Sequence, residues 1–181
     1  MTEENETVNM NEVKQKELET TEKTEEPVDP RQLLIKAFKT DNYEDKLKLY
    51  DKALTLDPLY IDAWIQKGFA LDRMEKSIEA LACYDRVLEI DPENLGVRCL
   101  KGFAFNNLAE FEKSIECYDE VLKINPEDIF SWYQKGSALE SLGKYGEAME
   151  SYDRALEIDP TDVLIREKKM KLMGIIYKNL N

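Results

Sequence analysis

The chain has 181 residues, of which 38 are acidic, 25 are basic and none is histidine, so its formal net charge is −13. This acidity argues against binding to nucleic acid, and the lack of histidine excludes Ser-His-Asp and Cys-His catalysis and histidine-ligated metals. No apolar run approaches the ~20 residues of a membrane span. The three cysteines form no C-x-x-C pair, and their odd number argues against a disulfide framework. We therefore expect a cytoplasmic protein that binds no membrane, cofactor or metal.

Residues 1–29 differ in composition from the rest of the chain. They contain ten acidic residues and three lysines, a net charge of −7, with no aromatic residue and few large apolar ones. Such a segment buries too little apolar surface to offset its chain entropy, so we predict a disordered acidic tail. Two roles stay open for it, a solubilising leader and an interaction or regulatory tail.

From residue 30 onward the sequence repeats with a period of 34 residues. Proline recurs at this interval at positions 58, 92, 126 and 160, and each proline follows Asp or Asn. An Asp or Asn side chain can cap a helix N-terminus, and proline is tolerated at the first helical position. Proline also ends the helix before it. We therefore predict that each dipeptide closes one helix and opens the next.

Between the prolines, apolar positions advance by three and four residues, the spacing of amphipathic helices. Each period therefore predicts two helices of about 13 residues joined by short turns. Gly143 suits the left-handed residue that ends a helix. The predicted ranges are 59–73, 93–107 and 127–141 for the first helices, and 77–90, 111–124 and 145–158 for the second.

Glycine, lysine and aspartate also recur in register. A glycine inside a helix costs ~1 kcal/mol relative to alanine, so its recurrence predicts a close approach of two helix backbones. A lysine precedes each glycine, and its stem can lie along apolar surface with the ammonium at the edge. We predict that these lysines pair with the recurrent aspartates. The three sets are Gly68, Gly102 and Gly136; Lys67, Lys101 and Lys135; and Asp51, Asp85 and Asp119.

This pattern resembles the tetratricopeptide repeat family. The first clear unit carries the signature residues Trp64, Gly68, Leu71, Ala80, Tyr84 and Pro92. The resemblance implies an all-α fold, a right-handed α-solenoid of antiparallel helix pairs. We place this domain at 30–181, with a divergent repeat at 30–60, three repeats at 61–94, 95–128 and 129–162, and a capping helix at 163–181.

The segment 163–181 is predicted to cover the exposed face of the last repeat. Its charged residues at 166–169 and 171 are expected to face water. The apolar arc is wide, so a homodimer through this segment is an alternative use of it. The residues assigned to the apolar side are Ile165, Met170, Leu172, Met173, Ile176 and Leu180.

The resemblance also implies that the first helices line a concave face whose side chains bind a peptide or helix of a partner protein. We expect partner side chains to insert between Phe69, Phe103, Phe130 and Tyr133; the alternative is that these rings pack between neighbouring helices. The Lys, Asn, Asn, Lys, Arg clamp by which one subgroup grips chaperone tails is supplied in neither register, so chaperone-tail binding is disfavoured. The matching places hold Ile65, Phe69, Leu100, Phe130 and Gln134, or, one unit upstream, Arg31, Ile35, Gln66, Gly96 and Leu100. The candidate groove residues are Ile65, Phe69, Arg73, Cys99, Phe103, Asn106, Asn107, Phe130 and Tyr133.

The sequence contains neither a glycine-rich phosphate-binding motif nor a catalytic constellation. We therefore predict a non-catalytic protein-interaction module. The alternative is a scaffold that homo-oligomerises through 163–181.

Overall fold

The computed structural model describes residues 28–179, which form nine α-helices joined by short turns. The predicted all-α class is confirmed, and the predicted bounds of the three second helices are correct to the residue. The helices are α1 (Pro30–Phe38), α2 (Tyr43–Leu56), α3 (Ile61–Arg73), α4 (Ser77–Ile90), α5 (Leu95–Asn107), α6 (Phe111–Ile124), α7 (Ile129–Ser141), α8 (Tyr145–Ile158) and α9 (Val163–Asn179).

Consecutive helices pack as antiparallel pairs, and each pair stacks on the next. The first helices of neighbouring repeats also touch, α3 with α5 and α5 with α7. The divergent pair α1–α2 stacks in the same way through Leu33, Leu34 and Tyr50, and α9 packs on α8. The predicted tail at 1–29 lies, apart from Val28 and Asp29, outside the described residues. Asp29 caps α1, because its Oδ1 accepts from the Arg31 amide at 2.9 Å.

The prediction that the Asp-Pro and Asn-Pro dipeptides open the first helices is wrong. Each first helix begins three residues after its proline, as at Ile61 after Pro58. The Asp57 carboxylate instead accepts from the amide of Leu59 at 3.0 Å, and the Asp57 carbonyl accepts from Tyr60. These bonds close a turn with proline at its second position, a conformation that both residue types favour.

The glycines make room for a tyrosine ring rather than for the opposite backbone. A Cβ on Gly68 would lie 2.5 Å from Tyr84, and one on Gly136 would lie 2.6 Å from Tyr152. In the middle repeat, a Cβ on Gly102 would lie 2.9 Å from Tyr118. All three rings are fully buried. Within each repeat, the second helix therefore inserts a ring into the gap that glycine leaves in the first.

The predicted lysine–aspartate pairs are confirmed. The ammonium of Lys67 lies 2.6 Å from the Asp51 carboxylate, and the pairs formed by Lys101 and Lys135 have the same separation. Each pair joins the second helix of one repeat to the first helix of the next. Lys169 continues the series onto α9 by pairing with Asp153. The lysine side chains are only partly exposed, and Lys67 also lies over the Trp64 ring.

The apolar side of α9 was predicted only in part. Ile165 and Leu172 are buried against α8 and Ile176 packs beside them, but Met170 and Met173 are 64% and 54% exposed. These methionines lie on a second face of the helix, about a third of a turn away, since successive residues advance by 100°. Lys168 and Lys169 do not simply face water, because they pair with Glu140 and Asp153. Leu180 lies outside the described residues.

The turn between the two helices of a repeat offers a stability test. Glu75, Ala109 and Gly143 occupy equivalent places, with φ of 61°, 57° and 73°. A left-handed conformation costs a residue with a Cβ ~1 kcal/mol. We expect Ala109→Gly to raise the free energy of unfolding by ~0.5–1 kcal/mol and Gly143→Ala to lower it by ~1 kcal/mol in urea denaturation. As a control, Ala82→Gly, at an exposed site within α4, should lower it by ~1 kcal/mol. A destabilised Ala109→Gly protein would contradict the prediction.

Candidate functional site

All nine candidate groove residues lie on the three first helices α3, α5 and α7. Phe69, Phe103 and Phe130 are 47%, 39% and 47% exposed, which is high for phenylalanine. Arg73 and Asn107 are also exposed. The remaining candidates are half-buried, namely Ile65, Cys99, Asn106 and Tyr133.

Four of these residues meet in one groove of about 740 Å³ between α3 and α5. Its apolar wall contains Phe69, Phe103 and Leu100. Arg73 and Asn107 lie at its polar edge. Sequence reasoning did not include Leu100 among the groove residues, although it lies one turn before Phe103 on the same helix.

The other aromatic candidates lie apart from this groove. The Phe130 ring meets Tyr118 edge to face with centroids 6.3 Å apart, and Tyr133 packs against Tyr152 at 6.0 Å. Both contacts join α7 to a second helix, which is the packing that the sequence analysis left open as an alternative. Phe130 nevertheless keeps almost half of its surface exposed.

Cys99 is held in a polar cluster at the junction of the second and third repeats. Its sulfur lies 3.4 Å from the Ser131 hydroxyl and 3.6 Å from the Asp128 carboxylate, and Ser131 donates to Asp128 at 2.7 Å. Burial raises the pKa of the Cys99 thiol. Cys99 is therefore a weak nucleophile whose contacts fix the junction of α5 and α7.

A second groove, of about 500 Å³, continues the same face toward α1. It is lined by Ile35 and Phe38, which are 54% and 61% exposed, and by Arg31, Tyr60 and Gln66. Sequence reasoning missed it, although Ile35 precedes Phe69 by one period, as Phe69 precedes Phe103. We call Ile35, Phe69 and Phe103 the apolar row.

The polar end of this face depends on the core tyrosines. The Tyr84 hydroxyl donates to Asp72 at 2.8 Å, and the Tyr152 hydroxyl donates to Glu140 at 2.9 Å. Burial raises the pKa of Asp72, and the bond from Tyr84 opposes that rise. In the middle repeat the equivalent position is Asn106, and the buried Tyr118 hydroxyl has no hydrogen-bond partner within residues 28–179.

The described part of the chain provides no metal-binding cluster of three or more acidic or cysteine side chains. None of its helices has the length and apolarity needed to cross a bilayer. Burial raises the pKa of Cys83 and of Cys117 to about 11, so both thiols are inert near neutral pH.

Comparison with family models matches two tetratricopeptide repeat descriptions, one at 61–94 and 129–162 and the other at 95–128. Together they cover more than half of the chain. The chain belongs to the tetratricopeptide repeat family. Comparison with curated protein sequences gave no match.

Solved structures of other proteins share this fold. A structure of MamA from Desulfovibrio magneticus RS-1 superposes with a TM-score of 0.73 at 17% identity, over 79% of this chain and 81% of that one. The first TPR domain of human RPAP3 superposes with a TM-score of 0.62 at 22% identity, over 67% of this chain and 95% of that one. The first TPR of Spaghetti (RPAP3), bound to the HSP90 peptide SRMEEVD, superposes with a TM-score of 0.61 at 22% identity, over 65% of this chain and 93% of that one.

The three core tyrosines provide a matched set of substitutions. Tyr84→Phe removes a hydrogen bond to a half-buried carboxylate, so we expect the free energy of unfolding to fall by ~1–2 kcal/mol. Tyr118→Phe removes a buried hydroxyl that lacks a partner, so we expect a rise of roughly 1 kcal/mol. Urea denaturation of both variants checks this, with Tyr152→Phe expected to follow Tyr84→Phe. Equal losses of unfolding free energy in Tyr84→Phe and Tyr118→Phe would contradict the prediction that the two hydroxyls differ in their contribution to stability.

Proposed function

We propose that this tetratricopeptide repeat domain is a non-catalytic, cytoplasmic interaction module that binds an apolar peptide of a partner protein along the apolar row. The observation that carries the proposal is the exposure of Ile35, Phe69 and Phe103 in register on three consecutive first helices. Contiguous exposed apolar surface usually marks a binding site, and aromatic anchors in pockets provide most of the affinity.

The spacing of the row favours an extended peptide. Packed helices lie 8–10 Å apart, and an extended chain in the polyproline II conformation advances ~3.1 Å per residue with three residues per turn. A peptide crossing α1, α3 and α5 therefore places every third side chain opposite a member of the row. We propose a ligand with apolar residues at i, i+3 and i+6.

Polar groups at the groove edge suit the backbone of such a peptide. Asn107 can donate to a peptide carbonyl and accept from a peptide amide, and Arg73 can donate to carbonyl oxygens. Both side chains are exposed and therefore accessible to a bound peptide. Phe130 and Tyr133, anchored on Tyr118 and Tyr152, would then border the site rather than form its centre.

The ligand should differ from that of the RPAP3 domain. That domain is bound to the peptide SRMEEVD, which ends in acidic and apolar residues. In this chain, neither register of the repeats supplies the cationic carboxylate clamp of one subgroup of the family. The matching places hold Ile65, Phe69, Leu100, Phe130 and Gln134 in one register, and Arg31, Ile35, Gln66, Gly96 and Leu100 in the other. We therefore propose recognition of internal apolar side chains instead of a terminal carboxylate.

Substitution of the row tests this function. Peptides selected from a random displayed library on the wild-type protein should carry the proposed apolar spacing. Phe103→Glu should weaken their binding by about 30-fold or more in Kd, the loss expected at a hot spot. Fluorescence anisotropy with a selected peptide measures this, while circular dichroism should show unchanged helicity because Phe103 is 39% exposed.

Two further variants control this experiment. Ile78→Glu changes a 74% exposed apolar residue on the second helix α4 and should leave peptide affinity unchanged. Phe69→Glu repeats the test at a more exposed row residue, in case Phe103→Glu lowers the melting temperature. If both row variants kept their affinity for the selected peptide, the apolar row would not be the binding site. Selected peptides without apolar anchors would also contradict the proposal.

A further inference from the structure

Helix α9 occupies the place of the first helix of another repeat. Arg166 donates to the Pro160 carbonyl, as Trp64 does to the carbonyl of the proline six residues before it. The pair of Lys169 with Asp153 continues the lysine–aspartate series. The layer of first helices therefore has five members, α1, α3, α5, α7 and α9.

The apolar row continues across this layer in residues that are no longer apolar. Ser137 on α7 follows Phe103 by one period, and Lys171 on α9 follows it by two. Ser137 is half-buried and Lys171 is exposed. The same helical place thus changes from apolar on α1, α3 and α5 to polar on α7 and cationic on α9.

Charge is divided between the two layers of helices. The five first helices contain 12 cations and four anions, a net charge of +8, whereas the four second helices contain seven cations and 14 anions, a net charge of −7. Without the four lysines that pair with aspartates between the layers, the first helices still have a net charge of +4. The first-helix layer is therefore the cationic part of a chain whose net charge is −13.

Part of this positive charge lies beside the row. Successive residues of a helix advance by 100°, so the residues four before and four after a row position lie about 40° from it. The surface within this arc has more cations than anions, which favours a ligand with negative charge. The cations are Arg31, Arg73, Lys171 and Lys178, and the anions are Asp62 and Glu167, all of them exposed.

Lys171 is the cation best placed to meet a carboxylate of the ligand. It stands in line with the row and makes no ion pair within residues 28–179, whereas Lys168 and Lys169 beside it pair with Glu140 and Asp153. Glu167 lies one turn before Lys171 on the same face and weakens its positive potential without pairing with it. A ligand carboxylate would therefore meet an ammonium group that has no partner to lose.

We propose that the peptide bound along the apolar row carries an Asp or Glu side chain that pairs with Lys171. This inference rests on the proposed function and adds a feature to its ligand. A peptide with three residues per turn that crosses all five first helices places i, i+3 and i+6 opposite the apolar row, i+9 opposite Ser137 and i+12 opposite Lys171. The ligand is therefore an apolar segment with an acidic side chain six residues beyond the anchor that meets Phe103.

Peptides of matched length test the pairing on the full chain. A peptide with the three apolar anchors and blocked termini is extended by six residues that end in glutamate, glutamine or lysine, at each end in turn. At the end that reaches α9, the glutamate peptide should bind about two- to fivefold more tightly than the glutamine peptide, the range of exposed ion pairs, and the lysine peptide more weakly. Fluorescence anisotropy measures this, and salt at about 0.5 M should remove the difference.

Three variants assign the effect to Lys171. Lys171→Glu should reverse the order of the glutamate and lysine peptides and leave the affinity of the glutamine peptide unchanged. Lys123→Glu, an equal charge change at an exposed site on the second helix α6, should keep the wild-type order. Glu167→Gln should tighten binding of the glutamate peptide, because it removes an opposing charge. Circular dichroism should show unchanged helicity in all three, since each site is exposed.

The outcomes distinguish this inference from the proposed function. If the glutamate, glutamine and lysine peptides bind equally well, or if Lys171→Glu keeps the wild-type order, the pairing is wrong while the apolar groove stands. If none of the peptides binds, the groove itself is wrong, and the pairing with it.

Discussion

The contact between a buried tyrosine ring and a helical glycine determines how each of the three clear repeats of this chain is built. The glycine weakens its helix by ~1 kcal/mol relative to alanine. The ring that fills the gap removes ~150–250 Å² from water, which at ~25 cal/mol per Å² is worth several kcal/mol. Burial therefore outweighs the helix cost at Gly68, Gly102 and Gly136. Because the ring enters at one point, it also fixes the axial register of the two helices, and with it the positions of every other residue of the repeat.

This fixed register divides the surface into faces with different roles. On one side, lysine–aspartate pairs join each second helix to the next first helix; such partly exposed pairs contribute little energy individually. On another side, the row of Ile35, Phe69 and Phe103 stays exposed, because the tyrosine contact orients each first helix with these residues outward. Stacking thus uses the buried rings and leaves an apolar face available to a ligand.

The period of the sequence predicted the helix pairs because glycine, tyrosine and proline recur in it unchanged. The start of each first helix could not be predicted in the same way, since Asp57 and Pro58 favour both a helix N-terminus and a turn, and the Asp57 side chain bonds within the turn. The groove beside α1 was missed because the divergent repeat has Leu34 in place of glycine, so its outward positions were not assigned. Met170 and Met173 were assigned to the covered side of α9 but lie exposed on a neighbouring face, because the spacing of apolar residues does not show which of two adjacent faces packs on α8.

The divergent repeat shows that a helix pair can form without the glycine. Leu34 stands at the place of the glycine on α1, and Tyr50 of α2 is still buried beside it. Helix α9 has Met170 at the same place, and this side chain is 64% exposed, although the lysine and arginine positions of the register persist on α9. The register of the stack therefore extends one helix beyond the last complete pair, and within the described residues the face of α9 that bears Met170 stays uncovered.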